Sequence, residues 1–546
     1  MVKYDNILQH LGEFGRCQKR VCFYLCFISI FLALHAFSTV FLAAETEHWC
    51  YVPELDSYFE TYCMGQDYND GCLETIKNFS IPFEEISGAC GDTLVYSACY
   101  RYNITINGNY SSEHVMEYTN TTVQCDHGWK YDRTQYKSTV FQEFDLVCDR
   151  YYLGALSTSM YMVGLLVGSY LFGILSDKIG RLPAFVTAFI SLSIIGSACA
   201  FSPNIVVFCI FRFANGAVAS GILIAGLVLV IEHVGQSKRI FAGMMLQYSF
   251  AIGYMLLAGI AYFVRYWWLL QLIISLPCVL FLSYYWIIPE SPRWLISTGR
   301  VKKAEKVIRL IEKENSVHLP NEISEIMKEK GKLKENLENK GTEVTVLDIF
   351  RSPTMTKTSI NLFFAMWFTI TLVYYDLSLN TSNLGGNDYV NAFISAAVEI
   401  PAYTISLYLP NTVLGRCGMQ SIGISIAMLG KCAITVAFSI IGVFAAELYP
   451  TAVRNVGTGL CWMCGRIGGI LAPQMLLMRT IWAPLPLIVF GTTPILSGLL
   501  VLLLPETRGL KNLPDTIKEA EKTGRKIAET EEVEDKKTDQ VELQAN

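Results

Sequence analysis

Histidine and charge are both scarce here: seven His residues are scattered over 546 positions, and Asp, Glu, Lys and Arg together make up 17%. The scatter leaves no His pair at zinc-ligand spacing. A phosphate-binding glycine loop and a nucleophile elbow are also missing, and Gly415-Arg-Cys-Gly418 has no strand before it to form a nucleotide turn. Enzyme chemistry, a metal and a cofactor are therefore not expected, nor is a nucleic-acid partner. No convincing small-residue cleavage site follows the first apolar run, so it reads as a span rather than a signal peptide.

What is present is long hydrophobic sequence. Hydrophobic residues make up 52%, with a mean hydropathy of +0.35. Nearly charge-free runs recur at 21–44, 153–175, 184–201, 205–231, 241–264 and 267–288, then at 359–372, 389–409, 422–446, 455–477 and 485–504. Each of the first six approaches or exceeds the roughly 20 residues that cross a hydrocarbon core. One such run could be a buried core helix; a series of eleven describes a multi-span membrane protein. Loops after the second, fourth and sixth runs carry Lys178 and Arg181, Lys238 and Arg239, and a Lys-rich stretch from Arg293 to Lys357. The positive-inside rule places these loops and the N-terminus in the cytoplasm.

Seven of the 17 cysteines (Cys50, Cys63, Cys72, Cys90, Cys99, Cys125 and Cys148) fall between the first two runs. The same segment holds sequons at Asn78, Asn103, Asn109 and Asn120. Both features fit a glycosylated, disulfide-tied domain opposite the basic loops. An odd count leaves one thiol free or paired between chains, and Cys72 is the nominee; a homo-oligomer through this loop would follow from the second case. The expected layout is a cytoplasmic N-terminus (1–20), a first span (21–44), the extracellular loop (45–150), spans two to six (151–289), a cytoplasmic loop of amphipathic helices (290–358), a second half (359–504) and a disordered cytoplasmic tail (505–546).

The second half echoes the first. Asp177-Lys-Ile-Gly-Arg181 returns as Gly415-Arg416, Glu232 with Arg239 returns as Glu447 with Arg454, and Pro289-Glu-Ser-Pro-Arg293 returns as Pro505-Glu-Thr-Arg508. Glu232 precedes Pro289 by 57 residues and Glu447 precedes Pro505 by 58. One spacing fails: Arg181 to Glu232 is 51 residues, whereas Arg416 to Glu447 is 31. Thirty residues of helix reach about 45 Å, enough for one crossing where two are needed. The ninth helix is therefore missing or truncated, and a splice form or gene-model error is favoured over an eleven-span design.

The motifs resemble solute carrier family 22, the organic cation, carnitine and organic anion transporters of the major facilitator superfamily. The resemblance rests on Asp177-Lys-Ile-Gly-Arg181, Pro289-Glu-Ser-Pro-Arg-Trp-Leu-Ile-Ser-Thr-Gly-Arg300, Glu399-Ile-Pro-Ala-Tyr403, Glu447-Leu-Tyr-Pro-Thr-Ala-Val-Arg454 and the opening Leu11-Gly-Glu-Phe-Gly15. It implies an all-α membrane fold of two six-helix halves, here lacking the ninth helix, that works by alternating access. It also implies that Cys50, Cys63, Cys90, Cys99, Cys125 and Cys148 are paired, with Cys72 the extra one. Asp177, Gly180, Arg181, Glu232, Arg239, Glu290, Arg293, Glu447 and Arg454 then read as charged latches at helix ends, the gating set.

Charge inside a span is costly unless it faces protein or water, so Asp376, Glu399, Lys431 and Arg466 are candidate substrate contacts. Trp367, Tyr374 and Tyr375 offer ring faces for a quaternary ammonium, and Gln247 is a further polar candidate. A Glu399–Lys431 pair would make both structural. By resemblance, Arg466 stands where cation-selective members carry an acid, which favours a substrate bearing a carboxylate. The expected function is plasma-membrane transport of small organic cations or carnitine-like zwitterions, with a coupling ion among the allowed partners. Organic anion exchange and a truncated, non-transporting regulator are the alternatives.

Overall fold

The computed structural model describes residues 4–53, 74, 77–88, 91–107, 115–317, 350–351, 353–379, 387–408, 431, 434–438, 441, 445, 448–449, 454–480, 482, 485–501 and 504. Among these, six helices are long and apolar enough to span a bilayer: Arg16–Leu42, Cys148–Ile179, Arg181–Cys199, Ile205–His233, Phe241–Phe263 and Trp267–Ile287. A helix satisfies its own backbone in oil, so apolar length alone dictates this structure. Ends are set locally: Asn204 accepts the Val207 N–H at 3.0 Å and caps the fourth span.

Glycine decides how closely the second and fourth spans meet. A Cβ built at Gly164, Gly168 or Gly216 would lie 2.0 Å from the carbonyl oxygen of Phe213, Ala217 or Tyr161 respectively. Small residues thus let the two backbones touch, the usual device where lipid removes the hydrophobic drive between helices. Phe263, Trp286, Leu280 and Phe23 point outward at 83%, 74%, 71% and 69% exposure, as a lipid-facing surface requires.

The second half is less regular. A π-helical stretch, Asn361–Phe368, interrupts the seventh span before Thr369–Leu379. The eighth divides at Val398 into Asp388–Ala397 and Glu399–Tyr408. Pro473 lies inside Arg454–Leu476 and Pro494 inside Leu485–Val501. Arg416, Glu447 and the whole segment 409–430 lie outside the described residues, so the expectation about the ninth helix is not addressed there.

The long loop between the first two spans is not helical. It forms three antiparallel ribbons: β1 (His48–Cys50) with β6 (Trp129–Tyr131), β2 (Phe83–Gly88) with β3 (Gly91–Tyr96), and β4 (Tyr100–Asn107) with β5 (Val115–Gln124). Disulfides join Cys50 to Cys125 and Cys99 to Cys148. Cys63, Cys72, Cys90 and Asn109 lie outside the described residues. Asn103 pairs across the third ribbon, Asn120 is on β5, and Asn78 accepts a hydrogen bond from Tyr96 at 2.7 Å. Asp126 bonds Arg101 at 2.9 and 3.0 Å, which holds its carboxyl below the ordinary range.

Behind the ribbons the loop ties the halves together. Tyr136 donates to Asp388 at 2.8 Å, Tyr389 donates to the Gln135 carbonyl at 3.2 Å, and the Tyr389 ring stacks on Phe41 of the first span. On the opposite side, the helix Val301–Asn315 buries Ala304, Ile308 and Ile311, the last two packed with Ile7 and Leu11 of the helix Tyr4–Leu11. Arg20 pairs with Glu314 at 2.7 Å beside them.

Candidate functional site

The expected substrate residues fall into one cluster and two outliers. Glu399 begins the second piece of the eighth span and is fully buried. Its Oε1 lies 3.3 Å from Lys431 Nζ and accepts from Tyr374 at 3.1 Å, while Oε2 accepts from Tyr403 at 3.1 Å. Lys431 also donates to Ser395 and sits 5.3 Å from the ring centre of Tyr254, a fifth-span residue of the first half. Tyr254 in turn donates to the Ser378 carbonyl at 2.9 Å. Two opposite charges, three hydroxyls and an aromatic face thus neutralise one another where the halves meet. A pair so enclosed resists removal of either partner more than it adds stability.

The two other charges have no such counterpart. Arg466, at 9% exposure, donates to Tyr375 at 3.3 Å and lies over Trp462 at 5.9 Å. Asp376, at 5% exposure, keeps Oδ1 without a hydrogen-bond partner among the described residues. Neither forms an ion pair among the described residues. Arg466 of the eleventh span reaches the seventh at Tyr375, the residue before Asp376.

The aromatic residues divide. Trp367 and Tyr374 share a face, as their spacing predicts, but that face is filled: Tyr374 stacks on Phe438 at 5.3 Å, and Trp367 packs on Trp462 at 4.4 Å. Both are buried, Tyr374 with its hydroxyl on Glu399, whereas Tyr375 reaches Arg466, which forms no ion pair among the described residues. Gln247 is half-buried on the fifth span and makes none of these contacts.

The latch residues meet at the basic side. Arg181 donates to Asp177 at 2.5 Å and to Glu232 at 3.5 Å. Glu290 accepts the backbone N–H groups of Arg181 and Leu182 at 3.1 and 3.2 Å, so a carboxylate closes the N-terminus of the third span. Burial pushes the Glu290 carboxyl up from its ordinary range. Gly180 adopts φ +116°, and a Cβ there would lie 2.4 Å from Glu290 Oε2. Trp294 donates to the Asp177 carbonyl at 3.0 Å. Arg239 bonds the Ile231 carbonyl at 3.2 Å, and Arg293 is exposed, apart from the latch. Arg454 opens its helix, and its side chain, like Glu447, lies outside the described residues.

One buried charge escaped the sequence reading as a site. Arg212 is fully buried beside Ser38, Thr39 and Tyr161. Its place in an otherwise apolar run was the available signal.

Residues 95–441 match the family described as sugar (and other) transporter. An organic cation transporter protein of Drosophila melanogaster is 40% identical, covering 97% of each chain. Solute carrier family 22 member 3 of Mus musculus is 35% identical over 96% of each. A beta-alanine transporter of Drosophila melanogaster is 34% identical over 95% of this chain and 89% of its own. Among solved structures, the E. coli xylose transporter XylE superposes with a TM-score of 0.52 at 17% identity, covering 67% of this chain and 90% of that one.

Proposed function

The chain belongs to solute carrier family 22 within the major facilitator superfamily, a multi-pass membrane transporter of organic cations and not an enzyme, and on that premise we propose that it moves small zwitterions or cations bearing a carboxylate across the plasma membrane by alternating access. The observation that carries this reading is the division of charge in the second half. Glu399 is already matched by Lys431, which leaves Asp376 to meet an ammonium and Arg466 to meet a carboxylate. A relative that carries beta-alanine, itself an amino acid with both groups, supports the same class. Organic anion exchange draws on Lys431 and Arg466 together, and the engagement of Lys431 by Glu399 weakens it.

Alternating access would use the latch at the basic side, with the N-terminus and that latch cytoplasmic and the disulfide-tied loop outside. Release of Arg181 from Asp177 and Glu232 would let the first half tilt against the second. The test is uptake into cells expressing the chain, comparing beta-alanine and carnitine with tetraethylammonium. Arg466→Gln should remove uptake of the carboxylate-bearing substrates and spare the simple cation. Equal loss of both would overturn the assignment, and surface expression with no uptake of any would favour the regulator reading.

A further inference from the structure

We propose that the first half carries a small-anion site, built on Arg212 and separate from the Glu399 cluster, that takes a monovalent inorganic anion such as chloride. Arg212 lies seven residues past Ile205 in the fourth span and is fully buried. It donates to Ser38 Oγ at 3.2 Å and to Thr39 Oγ1, and its guanidinium covers the Tyr161 ring at 4.5 Å. All three partners are neutral. The Ser38 proton goes to the His35 carbonyl at 3.0 Å, so that oxygen is a hydroxyl and not a counter-charge.

No carboxylate pairs with Arg212 among the described residues. Ser38 keeps a helical conformation between Arg16–Phe37 and Thr39–Leu42, so the helix runs on past the guanidinium, whose positive charge stays in a dry interior. A second, independent observation points the same way. Arg212 Nε, and both amide atoms of the fully buried Asn215, have no hydrogen-bond partner among the described residues. Arg212 and Asn215 are one turn apart on one helix face. The free Nε–H of the guanidinium and the Asn215 amide N–H are donors of the kind a halide accepts from.

The site is not the substrate site by another name. Tyr161 stands between them: it is fully buried and shares an apolar cluster with Tyr375 and Ile470 of the second half.

The test is thermal unfolding of the purified full-length protein in detergent, with gluconate exchanged for chloride at constant ionic strength. Wild type and Arg466→Gln should each gain roughly 2–4 °C at saturating chloride. Arg212→Gln and Asn215→Leu should lose that gain. Should Arg212→Gln fail to fold, Asn215→Leu, which keeps the guanidinium, decides alone. A gain that survives Asn215→Leu and vanishes in Arg466→Gln would put the anion in the second half and overturn the proposal. So would the absence of any gain in wild type, or a gain given by beta-alanine and not by chloride. Because the readout is binding, it stands or falls independently of the transported substrate.

Discussion

In the first half Arg181 meets Asp177 and Glu232 at a helix end, where Asp177 is 73% exposed; in the second half Glu399 meets Lys431 inside the bundle at 0% and 8% exposure. The two arrangements use the same chemistry at different depths. An ion pair open to water breaks at little cost, about 0–1 kcal/mol, so it can reform with each change of state. An enclosed pair cannot open without leaving a bare charge in a dry interior. The first half therefore keeps the Asp177–Arg181 pair at the margin, and the second half encloses the Glu399–Lys431 pair. Arg212 is the exception that the first half buries.

The sharpest way to break this contrast is Glu399→Gln, which strands the Lys431 ammonium. It should cost about 3–5 kcal/mol, read as an early thermal unfolding midpoint and lost uptake, and adding Lys431→Met should recover much of the stability. An unchanged midpoint in the single variant would erase the difference between the halves. Next comes Arg466→Gln. It should lower uptake of carboxylate-bearing substrates by roughly 10–100-fold, the worth of a charge-assisted hydrogen bond, while tetraethylammonium uptake holds.

Asp376→Asn should raise KM for both substrate classes by about tenfold, corresponding to ~1.4 kcal/mol, with kcat little changed. Gly180→Ala tests the margin. It forces a side chain into φ +116° against Glu290 and should cost about 1–2 kcal/mol of one state, altering turnover more than KM. The smallest effect belongs to Asp126→Asn in the loop. Arg101 holds the Asp126 carboxyl below its usual range, so its contribution is present above the unfolded-state value and disappears as pH falls through the lower folded value. At 53% exposure the pair should contribute under about 1 kcal/mol, and the substitution should flatten only the acid limb of a stability–pH curve.

Much of the architecture was legible along the chain. Runs at 21–44, 205–231 and 241–264 lie within or closely match Arg16–Leu42, Ile205–His233 and Phe241–Phe263, because apolar length is a local property. The Asp177–Arg181 pair was legible too, since its members are one turn apart. The ribbons of the long loop were not read, although threonine, tyrosine and valine are frequent in β4 and β5. Nor was the Tyr136–Asp388 contact, whose members are 252 residues apart.

Composition and order by themselves determined that this chain crosses a membrane many times, that its halves echo one another and that Glu399, Lys431, Arg466 and Asp376 lie in apolar surroundings. Each follows from the price of exposing polar groups to oil, which every residue meets locally. Which charge finds a partner was decided only in three dimensions. Glu399 reached Lys431 and Tyr374, Trp367 turned into packing, and Arg212 lay buried without an acid among the described residues, because pairing depends on distances between helices far apart in the chain.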